Sequence, residues 1–131
     1  MTISLALLFK ALWTGLAGAF GAGTRHTIAT VTRQHFGDHF PWGTLGINLS
    51  GAFIIGVISA LIARHVAPSS WHALIILGFL GGYTTFSSLM LEAAHLRQRQ
   101  AHLRFIAYLA ATLILGPLAA FAGLALGGVI A

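Results

Sequence analysis

The chain has 131 residues, of which 57% are hydrophobic and only 7% charged. A soluble domain carries about 25% charged residues, so this composition excludes an ordinary soluble surface and indicates an integral membrane protein. Seven lysines and arginines against two acids leave a formal charge of +5, but no basic stripe with interleaved aromatics accompanies it. That excludes a nucleic-acid partner and assigns the cations to lipid headgroups and topology, while the absence of cysteine excludes disulfide and thiolate chemistry.

Four segments reach the roughly 20 apolar residues that a spanning helix needs. The first runs from Ile3 to Thr32. Met1–Lys10 has no basic region ahead of its apolar run and no break in apolar character, so it reads as the start of this span rather than as a signal peptide. Arg25 follows the glycine-rich stretch Gly15–Gly23, where it can anchor at the interface, neutralise an acid or draw anions into a vestibule. The connection His35–Pro41 holds His35 and His39 at metal-ligand spacing, but no further ligands join them and they read as interfacial.

The second span runs from Trp42 to His65 and places Thr44, Asn48 and Gly51 on one helical face. Two readings of Asn48 stand: an interhelix hydrogen-bond staple, or an amide that contacts an ion through its NH₂ or its oxygen. After the short turn Val66–Ser69, the third span runs from Ser70 to about His95. It contains Gly81 and Gly82, followed by the hydroxyls of Thr84, Thr85, Ser87 and Ser88. A helix interrupted at membrane depth must be shielded by protein or line a wet cavity, so a break here would mark a site. Phe86 is either core packing or a ring whose electropositive edge faces an anion. Glu92, the only glutamate, is either an intramembrane acid with a role or an interfacial one.

Past Arg97–His102, the fourth span runs from Leu103 to Ile130. Tyr108, Thr112 and Gly116 form a weakly polar stripe, and Pro117 is expected to kink the helix. Small residues four apart, such as Gly78 with Gly82, Ala52 with Gly56 and Gly123 with Gly127, allow close helix approach. The expected architecture is a single all-α domain over 1–131 with four transmembrane helices, the third broken near its middle. Four helices leave little interior for a pore, which favours a homo-oligomer if anything crosses the bilayer. Both termini share a side with Arg64, opposite Arg33, Arg97, Arg99 and Arg104, so the charge excess is small enough to be compatible with dual insertion. No nucleophile–base pair or phosphate loop is present, and the sequence reads as a non-enzyme.

Three motifs taken together resemble the Fluc (CrcB) family of small bacterial fluoride channels over nearly the whole chain. They are Gly18–Arg25, Pro41–Gly51, and Gly78–Ser88 followed by Glu92. The resemblance implies a multi-pass protein of the bacterial inner membrane, passively exporting fluoride as an antiparallel, dual-topology homodimer with two pores. It also implies a central structural Na⁺ held by the main-chain carbonyls of Gly81 and Thr84. Asn48 would be the pore amide and Phe86 a ring edge facing the ion. Thr44, Ser88, Tyr108 and Thr112 match positions near or along the polar track, and Arg25 and Glu92 match characteristic charged positions. Hydroxyls, an amide and ring edges suit fluoride, whose tight hydration must be replaced by donors weak enough to release it.

The chain departs from the family pattern at Leu89, where a second phenylalanine is expected, and more mildly at Tyr83. Two other classes remain open on the residues alone. A proton-coupled small multidrug exporter would need a first-span carboxylate, which this chain lacks. A membrane anchor or haem-binding subunit would need interior histidines, whereas these lie at segment ends and in loops.

Overall fold

The computed structural model describes residues 4–130, which form helices and turns with no strand among them. In chain order the elements are α1 (Leu5–Phe36), α2 (Trp42–Ala63), α3 (His72–Leu80, with π-type hydrogen bonding), α4 (Gly81–Tyr83), α5 (Phe86–Gln98) and α6 (His102–Ile130). Four stretches are long and apolar enough to cross a membrane: Leu5–Phe36, Trp42–Ala63, His72–Gln98 and His102–Ile130. The molecule is therefore a multi-pass membrane protein. Ile3, expected to open the first span, lies outside the described residues.

Helix ends differ from the apolar boundaries because hydropathy marks the bilayer, whereas backbone geometry ends a helix. α1 continues past Thr32 through His35 until Gly37, whose φ of 76° is a left-handed conformation that glycine adopts without penalty. The Gly37 N–H donates to the Arg33 carbonyl at 2.9 Å and closes the turn. α2 stops at Ala63 rather than His65, since His65 itself takes φ 58°. The third span begins at His72 because Pro68 and Ser69 form the preceding turn, with their carbonyls accepting from Trp71 and His72. It runs to Gln98, and Gln100 at φ 56° then redirects the chain into α6. α6 is continuous across Pro117.

Two glycine seams bring the helices together. On the first, α1 packs against the third span so closely that a Cβ at Gly21 would meet the Phe79 carbonyl and one at Gly82 the Gly18 carbonyl. On the second, α2 meets α6, with Gly56 under the Ala120 carbonyl and Gly123 under that of Phe53. In hydrocarbon, where burial of apolar surface gives no net drive between helices, such backbone approach supplies the dispersion contacts that hold a bundle. Leu45, Leu89, Ala93, Leu96 and Tyr108 form one buried cluster, and Ile47, Leu80 and Tyr83 form another.

The α1–α2 and α5–α6 turns lie at the same end of the bundle. Arg99 pairs with the Asp38 carboxylate at 2.7 Å and bonds its carbonyl, while Arg104 donates to the His39 carbonyl. Arg99 holds the exposed Asp38 carboxyl below its ordinary value of 3.8. Between α1 and α5 the backbones do not pack together. The space between them is a cavity, and it adjoins the candidate site.

Candidate functional site

Between α4 and α5 the chain is extended for two residues, with Thr84 at φ −78°, ψ 156° and Thr85 at φ −153°, ψ 129°. β-branched residues with hydroxyls that can bond locally favour leaving the helix. Thr84 turns its hydroxyl back to the Leu80 carbonyl at 2.9 Å. Thr85 instead caps α5, its Oγ1 accepting from the Ser88 N–H at 3.1 Å.

Asn48 on α2 clamps this pair. Its Oδ1 accepts from the Thr85 N–H at 2.9 Å, and its Nδ2 donates to the Thr85 carbonyl at 3.0 Å. In an unbroken helix the Thr85 N–H would donate to the Gly81 carbonyl, and the Ser88 N–H to that of Thr84. Asn48 takes the first donor and the Thr85 hydroxyl takes the second. Among the described residues no hydrogen bond reaches the Gly81 or Thr84 carbonyl. Neutral carbonyl oxygens released in this way are the donor type that suits a hard cation such as Na⁺.

Two further α2 residues brace the same point. A Cβ at Gly51 would strike the Thr84 methyl, so glycine leaves the room that Thr84 fills. Ser50 Oγ lies 3.0 Å from the Tyr83 hydroxyl, and the Tyr83 ring stacks on Phe79 with centroids 5.7 Å apart. Neither contact emerges from the sequence alone. Ser50 adjoins Asn48 and Gly51, but its partner lies 33 residues away.

The expected site residues fall into distinct environments. Thr44 is only 4% exposed and, with Arg25, Ser88 and Glu92, lines the cavity between α1 and α5, whose volume is about 480 Å³. Arg25 donates to Ser88 Oγ at a long 3.4 Å, and its Nε is buried with no partner among the described residues. Glu92 accepts from the fully buried Tyr108 hydroxyl at 3.1 Å and faces Arg33 at 3.8 Å, so its carboxylate is engaged from two sides. Thr112 bonds back to the Tyr108 carbonyl and does not reach the cavity lining. Asn48 sits behind the extended pair with one Nδ2 hydrogen left over. Phe86 stands apart from all of these, 74% exposed on the outer surface beside Gly81, which is also exposed.

Leu89 is 5% exposed, packed with Leu45, Ala93 and Tyr108 inside the chain. An aliphatic residue there is a core residue of this molecule. Arg33 joins the cavity because α1 continues one turn beyond its apolar stretch, a contact that span boundaries drawn from hydropathy miss.

The model of the family described as "CrcB-like protein, Camphor Resistance (CrcB)" matches residues 12–124 of this sequence. The chain belongs to the CrcB family. It is similar to a protein of Xylella fastidiosa (strain 9a5c) named "Fluoride-specific ion channel FluC", 45% identical over 113 residues, 86% of this chain and 79% of that one. Proteins of the same name from Allorhizobium ampelinum and Rhizobium etli are 42% and 39% identical, over 88% and 91% of this chain and 94% and 96% of theirs. The CrcB match spans both glycine seams, at Gly18 and Gly123, and the Thr84–Thr85 pair.

Proposed function

We propose that this protein is a fluoride-selective channel that lets fluoride leave the cell passively, with no enzymatic step. The observation that carries this reading is its 39–45% identity to relatives named as fluoride-specific channels over 79–96% of their lengths. The working form is an antiparallel, dual-topology homodimer in the bacterial inner membrane, with two pores built by both subunits. Exposure of Phe86 and Gly81 beside the extended pair supports it, because that face of one chain is left for a partner or lipid. The Thr84–Thr85 pair is read as the break at membrane depth.

In this arrangement the Gly81 and Thr84 carbonyls would hold a Na⁺, whose charge would lower the cost of placing an anion in a low-dielectric interior. The chain's own part is to expose those oxygens, which the Asn48 clamp and the Thr85 cap accomplish by occupying the competing donors. Fluoride enters through the cavity lined by Arg25, Thr44, Ser88 and Glu92, and passes the spare Asn48 N–H and the Phe86 ring edge. Tyr108, tied to Glu92 at that entrance, and Thr112 one turn further along α6 extend the polar track. Donors of this kind replace water without the strong binding of a full cation.

Liposomes carrying the protein are expected to release fluoride and to retain chloride, with release impaired by Phe86→Ile. Absent or unselective fluoride release from folded dimers would refute the proposal.

A further inference from the structure

The cavity between α1 and α5 is larger and more charged than a fluoride entrance requires. Its 480 Å³ is many times the ~30 Å³ that one water occupies in the liquid. One wall carries Arg25, His26 and Arg33 from α1, and the other Glu92, His95 and Arg99 around α5, with Asp38 at the mouth.

The two α1 guanidinium groups are weakly committed. Arg33 lies 3.8 Å from Glu92 and 3.9 Å from Asp38, both beyond hydrogen-bond length, and its side chain is 62% exposed. Arg25 makes one long bond and has a buried, unpartnered Nε among the described residues. A guanidinium presents a rigid fork of N–H groups matched to two oxygens of one tetrahedral anion. Fluoride, a single small atom, uses only one prong. The unused forks therefore fit a larger ligand.

We propose that this cavity is a binding site for a dianionic tetrahedral oxyanion of the sulfate or phosphate class, held by Arg33 and Arg25. Three arginines against Asp38 and Glu92 leave the cavity one net positive charge. That excess attracts the dianion, and an occupied cavity obstructs the entrance on that side. The binding stands on the cavity alone; the obstruction rests on the channel reading.

The test is equilibrium binding of radiolabelled sulfate to the purified protein in neutral detergent, which needs no fluoride flux. The expected result is saturable binding. Arg33→Gln is expected to weaken it about tenfold, and Arg33→Lys, which keeps the charge but loses the fork, to weaken it less. Arg33 is exposed, and Arg33→Lys carries the test if Arg33→Gln does not fold. Displacement by inorganic phosphate would assign a free ion, and preferential displacement by phosphatidic acid a lipid phosphate headgroup. No saturable binding, unchanged binding in both variants, or equal competition by chloride at matched ionic strength would overturn the proposal. A channel that conducts fluoride but binds no sulfate would leave the functional reading intact and remove this one.

Discussion

Of the two readings that the sequence leaves open, Asn48 takes the staple's part in this structure. It satisfies the N–H and carbonyl of Thr85, and by doing so it keeps that N–H from the Gly81 carbonyl. Asn48→Ala would leave two backbone groups without partners inside the bundle, at about 1–3 kcal/mol by equilibrium unfolding in detergent. Asn48→Asp retains the acceptor but sets a charged oxygen against the Thr85 carbonyl, so it is expected to fold no better than Asn48→Ala and to lose fluoride flux. Equal stability of wild type and Asn48→Ala would mean that the clamp does not hold the extended pair. Leu89→Phe makes the opposite kind of test. Its side chain is already enclosed by Leu45, Ala93 and Tyr108, so the larger ring is expected to overpack the core by about 1–3 kcal/mol. Unchanged stability would show that the cluster has room to spare.

At the scale of elements, the third span depends on what packs behind it. Gly82 and Gly21 hold α1 against it, and Gly51 makes room for Thr84. Gly82→Val would drive branched carbon into the Gly18 carbonyl and separate the two helices, and folded protein recovered in detergent is expected to fall sharply. Gly15→Ala has open space and is expected to be neutral within about 0.5 kcal/mol, which controls for glycine removal as such. At the turns, Asp38 is held below its ordinary pKa by Arg99, so the tie between the two connections is complete above the unfolded value near 3.8. It is lost as pH falls below that value and through the lowered folded one. Asp38→Asn should remove this acid-side dependence, as read by unfolding between about pH 3 and 5. A surface pair of this kind is weak, and the effect should shrink in high salt.

Four apolar stretches were legible from hydropathy, as were the small-residue pairs that became the seams, because composition and spacing report both directly. The ends of α1 and α5 were not, since Gly37 and Gln100 set them through backbone conformation rather than polarity. The motif Gly78–Ser88 contains the extended Thr84–Thr85 pair, yet its bracing by Ser50 and Gly51 depends on a contact between segments distant in sequence. Arg33 stayed outside the expected site for a related reason: it lies beyond the apolar stretch but on the same helix.

For the molecule as a whole, Phe86 and Gly81 are exposed while Glu92 is engaged within the chain. Phe86→Ile should therefore leave the stability of the isolated fold within about 0.5 kcal/mol, because its ring is mostly uncovered there. Its effect should fall on conduction. The most direct measurement is efflux of fluoride against chloride from liposomes loaded with both and reconstituted with the purified protein. The account predicts rapid fluoride release with chloride retained, and fluoride release strongly reduced in Phe86→Ile. Equal release of both ions, or no release of fluoride by folded wild-type protein, would contradict it.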